Sequence, residues 1–315
     1  MPSWVKDGVF IAIVAHGLIG VSLVWDKILL RRPQTTNLLN YVFWLGAISV
    51  FGLGVLPFGF HFPSPGVAGI AFAAGVLDLI ATYFYYAALK RGEASGAVAV
   101  MGGFSPVATV LFGKLLLPSP LGKNQILGFA ILVTAGFLMF FAEHRDVNLK
   151  ALIPGAILAS IFFGFDNVLQ KIAFNRTDFV SGFVFITLGT FLGAMFLLAR
   201  RSWREQIFTS SEEAPPSSRF WYFVNRLVAG VGSFLVFYAV SLASPAVVDA
   251  LAGMRYAIVF VGALALTKFR PAMIREDFQG WVLVGKTLAT LMVAAGLALL
   301  ASGDGSDVLA LLWTR

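Results

Sequence analysis

Residues 8–30 read GVFIAIVAHGLIGVSLVWDKILL, an apolar run with a single histidine near its middle. At about 1.5 Å per residue, a helix of that length crosses the roughly 30 Å hydrocarbon core of a bilayer. The run is longer than the core of a signal peptide and has no small-residue cleavage site after it. It is therefore read as a first membrane span. Moving outward, the same pattern recurs between Pro, Gly and charge clusters. It predicts spans over 37–60, 66–89, 94–117 and 123–142, then over 149–172, 179–199, 220–242, 245–267 and 279–301. Of the 315 residues, 58% are hydrophobic and 12% charged. That balance rules out most soluble enzyme folds.

Sliding one half over the other exposes a sparse but ordered self-similarity. Gly20, Val24, Lys27 and Ile28 fall on Gly164, Val168, Lys171 and Ile172. Tyr86, Ala87 and Ala94 fall on Tyr238, Ala239 and Ala246, and Ala135-Gly136 on Ala295-Gly296. Five spans is an odd number, so the second copy enters the membrane upside down relative to the first. The expected fold class is an all-α integral membrane protein of ten transmembrane helices, built as two inverted five-helix repeats. Its divisions are 1–145, 146–303 and a short C-terminal tail, 304–315, with Glu143-His144-Arg145-Asp146 marking the join. An inverted duplication is a transporter architecture, with its site at mid-membrane between the repeats.

The formal net charge is +7, but the cations are scattered over short connections. That distribution suits anionic lipid headgroups, not nucleic acid. About 14 of the 23 Lys and Arg residues fall on the side of the odd-numbered loops, against about six on the other. Charge alone thus places those loops in the cytoplasm and both termini outside. The segment Ser202 to Ser218 is polar and proline-broken, and is expected to form a surface loop. With zero cysteines there is no disulfide, thiolate nucleophile or Cys-ligated metal site. No metal site, cofactor or catalytic residue is expected, since no nucleotide-binding or zinc-protease motif occurs.

Ionisable side chains at mid-bilayer cost about 2.5–3.5 kcal/mol on insertion scales, so depth ranks the candidates for a substrate or ion pathway. Asp78, Arg255 and His16 lie deepest, followed by Lys286, Asp249 and Asp166. Asp78 and Arg255 come from opposite halves at equivalent depth. Their opposite charges attract, either as a structural pair or as part of the path. Tyr85 shares a helical face with Asp78 and Thr82. Lys27 and Lys171, near span ends, are expected to snorkel to headgroups. Gating or packing roles fall to Pro106, which removes a backbone hydrogen bond within its span, and to Gly20, Gly164, Gly189 and Gly193.

The stretch Tyr85-Tyr86-Ala87-Ala88-Leu89-Lys90-Arg91-Gly92-Glu93-Ala94-Ser95, followed by Phe104-Ser105-Pro106-Val107 and the Gly128 to Gly136 segment, resembles the drug/metabolite transporter superfamily, EamA-type. Phe237-Tyr238-Ala239-Val240-Ser241-Leu242-Ala243-Ser244-Pro245-Ala246 repeats the pattern, and Gly253-Met254-Arg255-Tyr256 occupies the matching later segment. The resemblance spans nearly the whole chain. It implies a carrier with a central cavity walled by spans 3, 4, 8 and 9, which places Asp78, Tyr85 and Arg255 beside that cavity. It departs at Pro118-Ser119-Pro120 and Thr267-Lys268-Phe269-Arg270-Pro271, where the family's closing pattern is replaced. The family's habit also puts the termini in the cytoplasm, opposite to the charge count, and orientation stays open.

The expected function is secondary transport of a small polar metabolite or amphipathic compound by alternating access. The carrier is proton-coupled or an exchanger, with export favoured, in a prokaryotic cell (inner) membrane. Its partners are membrane lipids and a small-molecule substrate, with either a monomer or a homodimer allowed. The rival readings are a membrane-embedded enzyme or lipid-remodelling component, and a non-transporting scaffold.

Overall fold

The computed structural model describes residues 8–30, 37–91, 94–117, 123–142, 149–213, 216–269 and 280–301. The join at 143–146, Pro118-Ser119-Pro120 and the tail 304–315 lie outside them. Every described element is helical. The order is α1 (Gly8–Leu30), α2 (Leu38–Ile48), α3 (Pro65–Arg91), α4 (Ala94–Leu116), α5 (Lys123–Ala142), α6 (Leu149–Phe174), α7 (Phe179–Phe196), α8 (Arg201–Glu213), α9 (Pro216–Leu242), α10 (Pro245–Ala250), α11 (Gly253–Phe269) and α12 (Gly280–Ala301). Among the described residues, seven helical stretches are long and apolar enough to cross a membrane. Shorter apolar stretches lie at Phe104–Leu116, Ile126–Leu138 and Gly280–Val293. The chain is thus an all-α membrane protein.

Three elements differ from the sequence expectation. Most of the surface loop expected over 202–218 is the helix α8. Its Ile207 is fully buried, and the Ile207 carbonyl accepts a hydrogen bond from Asn40 Nδ2 at 2.6 Å. The prolines that argued for a loop lie beyond its end, and Pro216 opens α9, where a missing N–H costs nothing. The second span tightens into a 3-10 helix over Ser49–Phe58 that ends at Gly59, whose φ of 103° suits glycine. The ninth span is broken between α10 and α11. There the N–H groups of Ala252, Met254 and Arg255 donate to carbonyls three residues back, those of Asp249, Leu251 and Ala252.

Packing is closest where side chains vanish. A Cβ on Gly75 would lie 1.9 Å from the Ile186 carbonyl oxygen, and one on Gly189 would lie 2.1 Å from that of Phe72. So α3 and α7 cross backbone to backbone, and Thr190 Oγ1 donates to the Gly75 carbonyl at 3.0 Å across the crossing. Gly193 continues the contact against Leu79, Gly20 meets Ile258, and Gly164 lets α6 settle onto Ala108 and Thr109. Beyond these crossings, α1 packs on α9 and α11, α6 on α3 and α4, and α5 on α12.

Candidate functional site

These packings leave a cavity of about 530 Å³ lined by residues of α1, the 3-10 turn after α2, and α3, α4, α6, α7, α9, α10 and α11, with neighbouring positions of α2 and of the α10–α11 break. Six of the seven residues ranked by depth and face line it: His16, Asp78, Tyr85, Asp166, Asp249 and Arg255. Pro106, interior to α4, lines it as well. Lys286 does not: it is buried in α12, 2% exposed, away from the lining. Lys171 also departs from expectation, because its Nζ donates to the carbonyls of Val240 and Ser241, both at 3.0 Å. It caps the C-terminal turn of α9, where the helix dipole favours a cation.

In the cavity wall, Arg255 Nε donates to His16 Nδ1 at 3.0 Å, and His16 Nε2 donates to the Val248 carbonyl at 2.8 Å. The two partners leave one assignment for the ring: neutral, with its proton on Nε2. His16 is therefore a relay of hydrogen bonds between α1, α10 and α11. Arg255 is within electrostatic reach of Asp78 and of Asp249. Asp249 Oδ2 accepts from Ser105 Oγ at 2.9 Å and from Thr109 Oγ1, which ties α10 to α4. Asp166, on α6, accepts from Gln170 Nε2 at 2.7 Å and feels the charge of Asp78.

A second cluster sits toward one end of the cavity, and depth ranking misses it. Asp26 of α1 and Arg226 of α9 form an ion pair with side chains 2% and 4% exposed. Asp26 Oδ1 also accepts from Tyr41 Oη and, at 2.6 Å, from Asn225 Nδ2, while Oδ2 accepts from Tyr86 Oη at 3.2 Å. Arg226 Nη1 donates to Tyr86 Oη at 3.0 Å. The guanidinium stands 5.3 Å from the Tyr41 ring centre and 5.4 Å from that of Tyr222, a cation–π cage. Tyr222 Oη closes the set on the Tyr41 carbonyl at 2.9 Å. The available signal was two opposite charges at similar depth on the same side of the membrane. Asp26 beside Lys27, near a span end, passes for an interfacial residue.

The family model of the EamA-like transporter family matches residues 6–141, so over that stretch the resemblance carried by the Tyr85–Ser95 and Phe104–Val107 motifs holds. No curated protein matches the chain. Among solved structures, one described only as "Crystal structure of protein" aligns with a TM-score of 0.60 at 15% identity, covering 93% of this chain and 98% of its own. That likeness concerns the fold. The apolar helices make this a multi-pass integral membrane protein, and its first half is similar to the EamA-like transporter family.

Proposed function

We propose that the chain is a secondary carrier that moves a small polar or amphipathic compound through this cavity by alternating access, as a proton-coupled carrier or exchanger. The observation that carries the reading is the cavity itself, in which ionisable side chains from α1, α3, α6, α10 and α11 converge among the apolar helices. Charges held that deep in a membrane face partners or a path. An interfacial enzyme would collect its acid and base groups at one surface instead.

Ten spans in two inverted five-helix repeats, 1–145 and 146–303, account for the packing. α1 leans on α9 and α11 of the second half, and α6 leans on α3 and α4 of the first, which is the reciprocal exchange a two-fold axis in the membrane plane requires. The break between α10 and α11, with Asp249 on one side and Arg255 on the other, fits the discontinuous helices that frame carrier sites. Export from a prokaryotic cell with both termini on one side completes the reading.

The test is exchange across proteoliposomes loaded from a panel of amino acids, sugar phosphates, nucleosides and organic cations, following uptake of the same labelled compound. The expected outcome is saturable exchange for one class. Asp78→Asn and Arg255→Ala should remain folded and lose that exchange by about tenfold or more, the worth of one charge-assisted contact. Full exchange in both folded variants would remove these residues from the path.

A further inference from the structure

Asp166 and Gln170 lie one turn apart on α6, and both line the cavity. The bond from Gln170 Nε2 to Asp166 Oδ2 fixes the amide, because its other orientation would press a carbonyl against a carboxylate. Two acceptors are left over. Among the described residues, Asp166 Oδ1 and Gln170 Oε1 have no hydrogen-bond partner, although each side chain is only 1% exposed. Buried acceptors in that condition cost about 1–3 kcal/mol each, and more when charged, so the pair calls for donors that come from outside the described residues.

The charges lining the cavity ask for the same ligand. Asp26 and Arg226 balance each other in their ion pair. That leaves Asp78, Asp166 and Asp249 facing one guanidinium, Arg255. Asp249 already holds two hydroxyl donors, and Arg255 already donates to His16. An anion entering here meets an excess of carboxylates. A neutral apolar body leaves both acceptors unpaired, and a quaternary ammonium brings charge without N–H groups. The apolar part of the lining, including Met101 and Phe163, accepts a hydrocarbon body, and about 530 Å³ is room for a compound of drug-like size.

We propose that the compound carried is a protonated amine, whose N–H groups are received by Asp166 Oδ1 and Gln170 Oε1 while the Asp78 carboxylate balances its charge. The assignment rests on the carrier reading above and narrows its substrate class. It predicts that the carboxylate of α6, more than the guanidinium of α11, decides which compounds bind.

The test is thermal stabilisation of the purified full chain in detergent, backed by calorimetry, with three probes of similar size: 2-phenylethylammonium, its N,N,N-trimethyl analogue and phenylacetate. A ligand raises the unfolding temperature only by binding the folded state preferentially. The primary ammonium should give a saturable shift, the trimethyl analogue should bind about tenfold or more weaker, and phenylacetate should give none. Asp166→Asn should weaken ammonium binding by about tenfold or more. Gln170→Leu, which keeps the carboxylate, should weaken it less. Stabilisation by phenylacetate but not by the ammonium overturns the assignment, as does unchanged ammonium affinity in both folded variants. No shift from 2-phenylethylammonium, tryptamine or putrescine overturns it too. The carrier reading fails separately, only if no compound of any class exchanges across proteoliposomes.

Discussion

Asp26 and Asp166 are both buried carboxylates on membrane helices facing one cavity, and their surroundings are opposite. Asp26 is met by a guanidinium, two phenols and an amide, so that both its oxygens are engaged and α1 is fastened to α2, α3 and α9. Asp166 has one amide donor from its own helix and, among the described residues, an oxygen with none. A buried charge surrounded by fixed partners holds helices together, because removing any partner strands the others. One left half-satisfied is available to something that comes and goes. The comparison separates holding from carrying within a single cavity, at sites about as buried as each other.

The sharpest way to break the comparison is to strip Asp26 of its cation. Arg226→Met leaves a carboxylate buried without its countercharge, a loss of about 3–5 kcal/mol. The paired change Asp26→Leu with Arg226→Met should restore most of that stability, because a buried ion pair and well-packed apolar groups are close to equivalent. Unfolding measured on both variants checks this. A single variant as stable as wild type would show that the pair holds nothing.

The same contrast explains what was legible in the sequence. The helices run close to the predicted spans because twenty apolar residues between breaking residues have few other fates. Depth brings His16, Asp78, Asp166, Asp249 and Arg255 forward, a shared helical face adds Tyr85, and all six line one cavity. Depth measures cost, not direction, so Lys286 was ranked with them although α12 turns it elsewhere. Partnership across 200 residues, as between Asp26 and Arg226, depends on how α1 and α9 rotate against each other, and no local pattern records that rotation. The helix α8 was hidden for a different reason. Its polar composition resembles a loop, and one buried face around Ile207 suffices to order it.

A milder change sharpens the account of the holding cluster. Tyr222→Phe removes only the hydroxyl donated to the Tyr41 carbonyl and keeps the ring beside Arg226, so stability should fall by no more than about 1.5 kcal/mol. A loss as large as that of Arg226→Met would mean that the hydroxyl, not the ion pair, fastens the cluster.

The smallest effect belongs to a carboxylate outside the membrane spans. Asp178 caps α7, accepting from the Ser181 N–H at 2.9 Å, with His61 Nδ1 3.8 Å away. Partial burial pushes its carboxyl up, but the hydrogen bonds from Ser181 and the charge of His61 outweigh this and hold it below the usual carboxylate range. A depressed folded value means that the contribution is present above the unfolded pKa and disappears as pH falls through the folded one. Asp178→Ala should therefore cost about 0.5–1 kcal/mol near neutrality, at the low end for a cap because the side chain is half exposed, and almost nothing in acid. An unfolding series against pH reads the convergence, and a constant difference would deny the cap its charge.

The most direct measurement of the division between holding and carrying is exchange of labelled 2-phenylethylammonium across proteoliposomes by Asp166→Asn, read beside the unfolding temperature of the same preparation. The expected result is an unfolding temperature no lower than that of wild type, with exchange reduced about tenfold or more. Undiminished exchange would contradict it. So would a loss of stability like that of Arg226→Met, which would make Asp166 one more fastening.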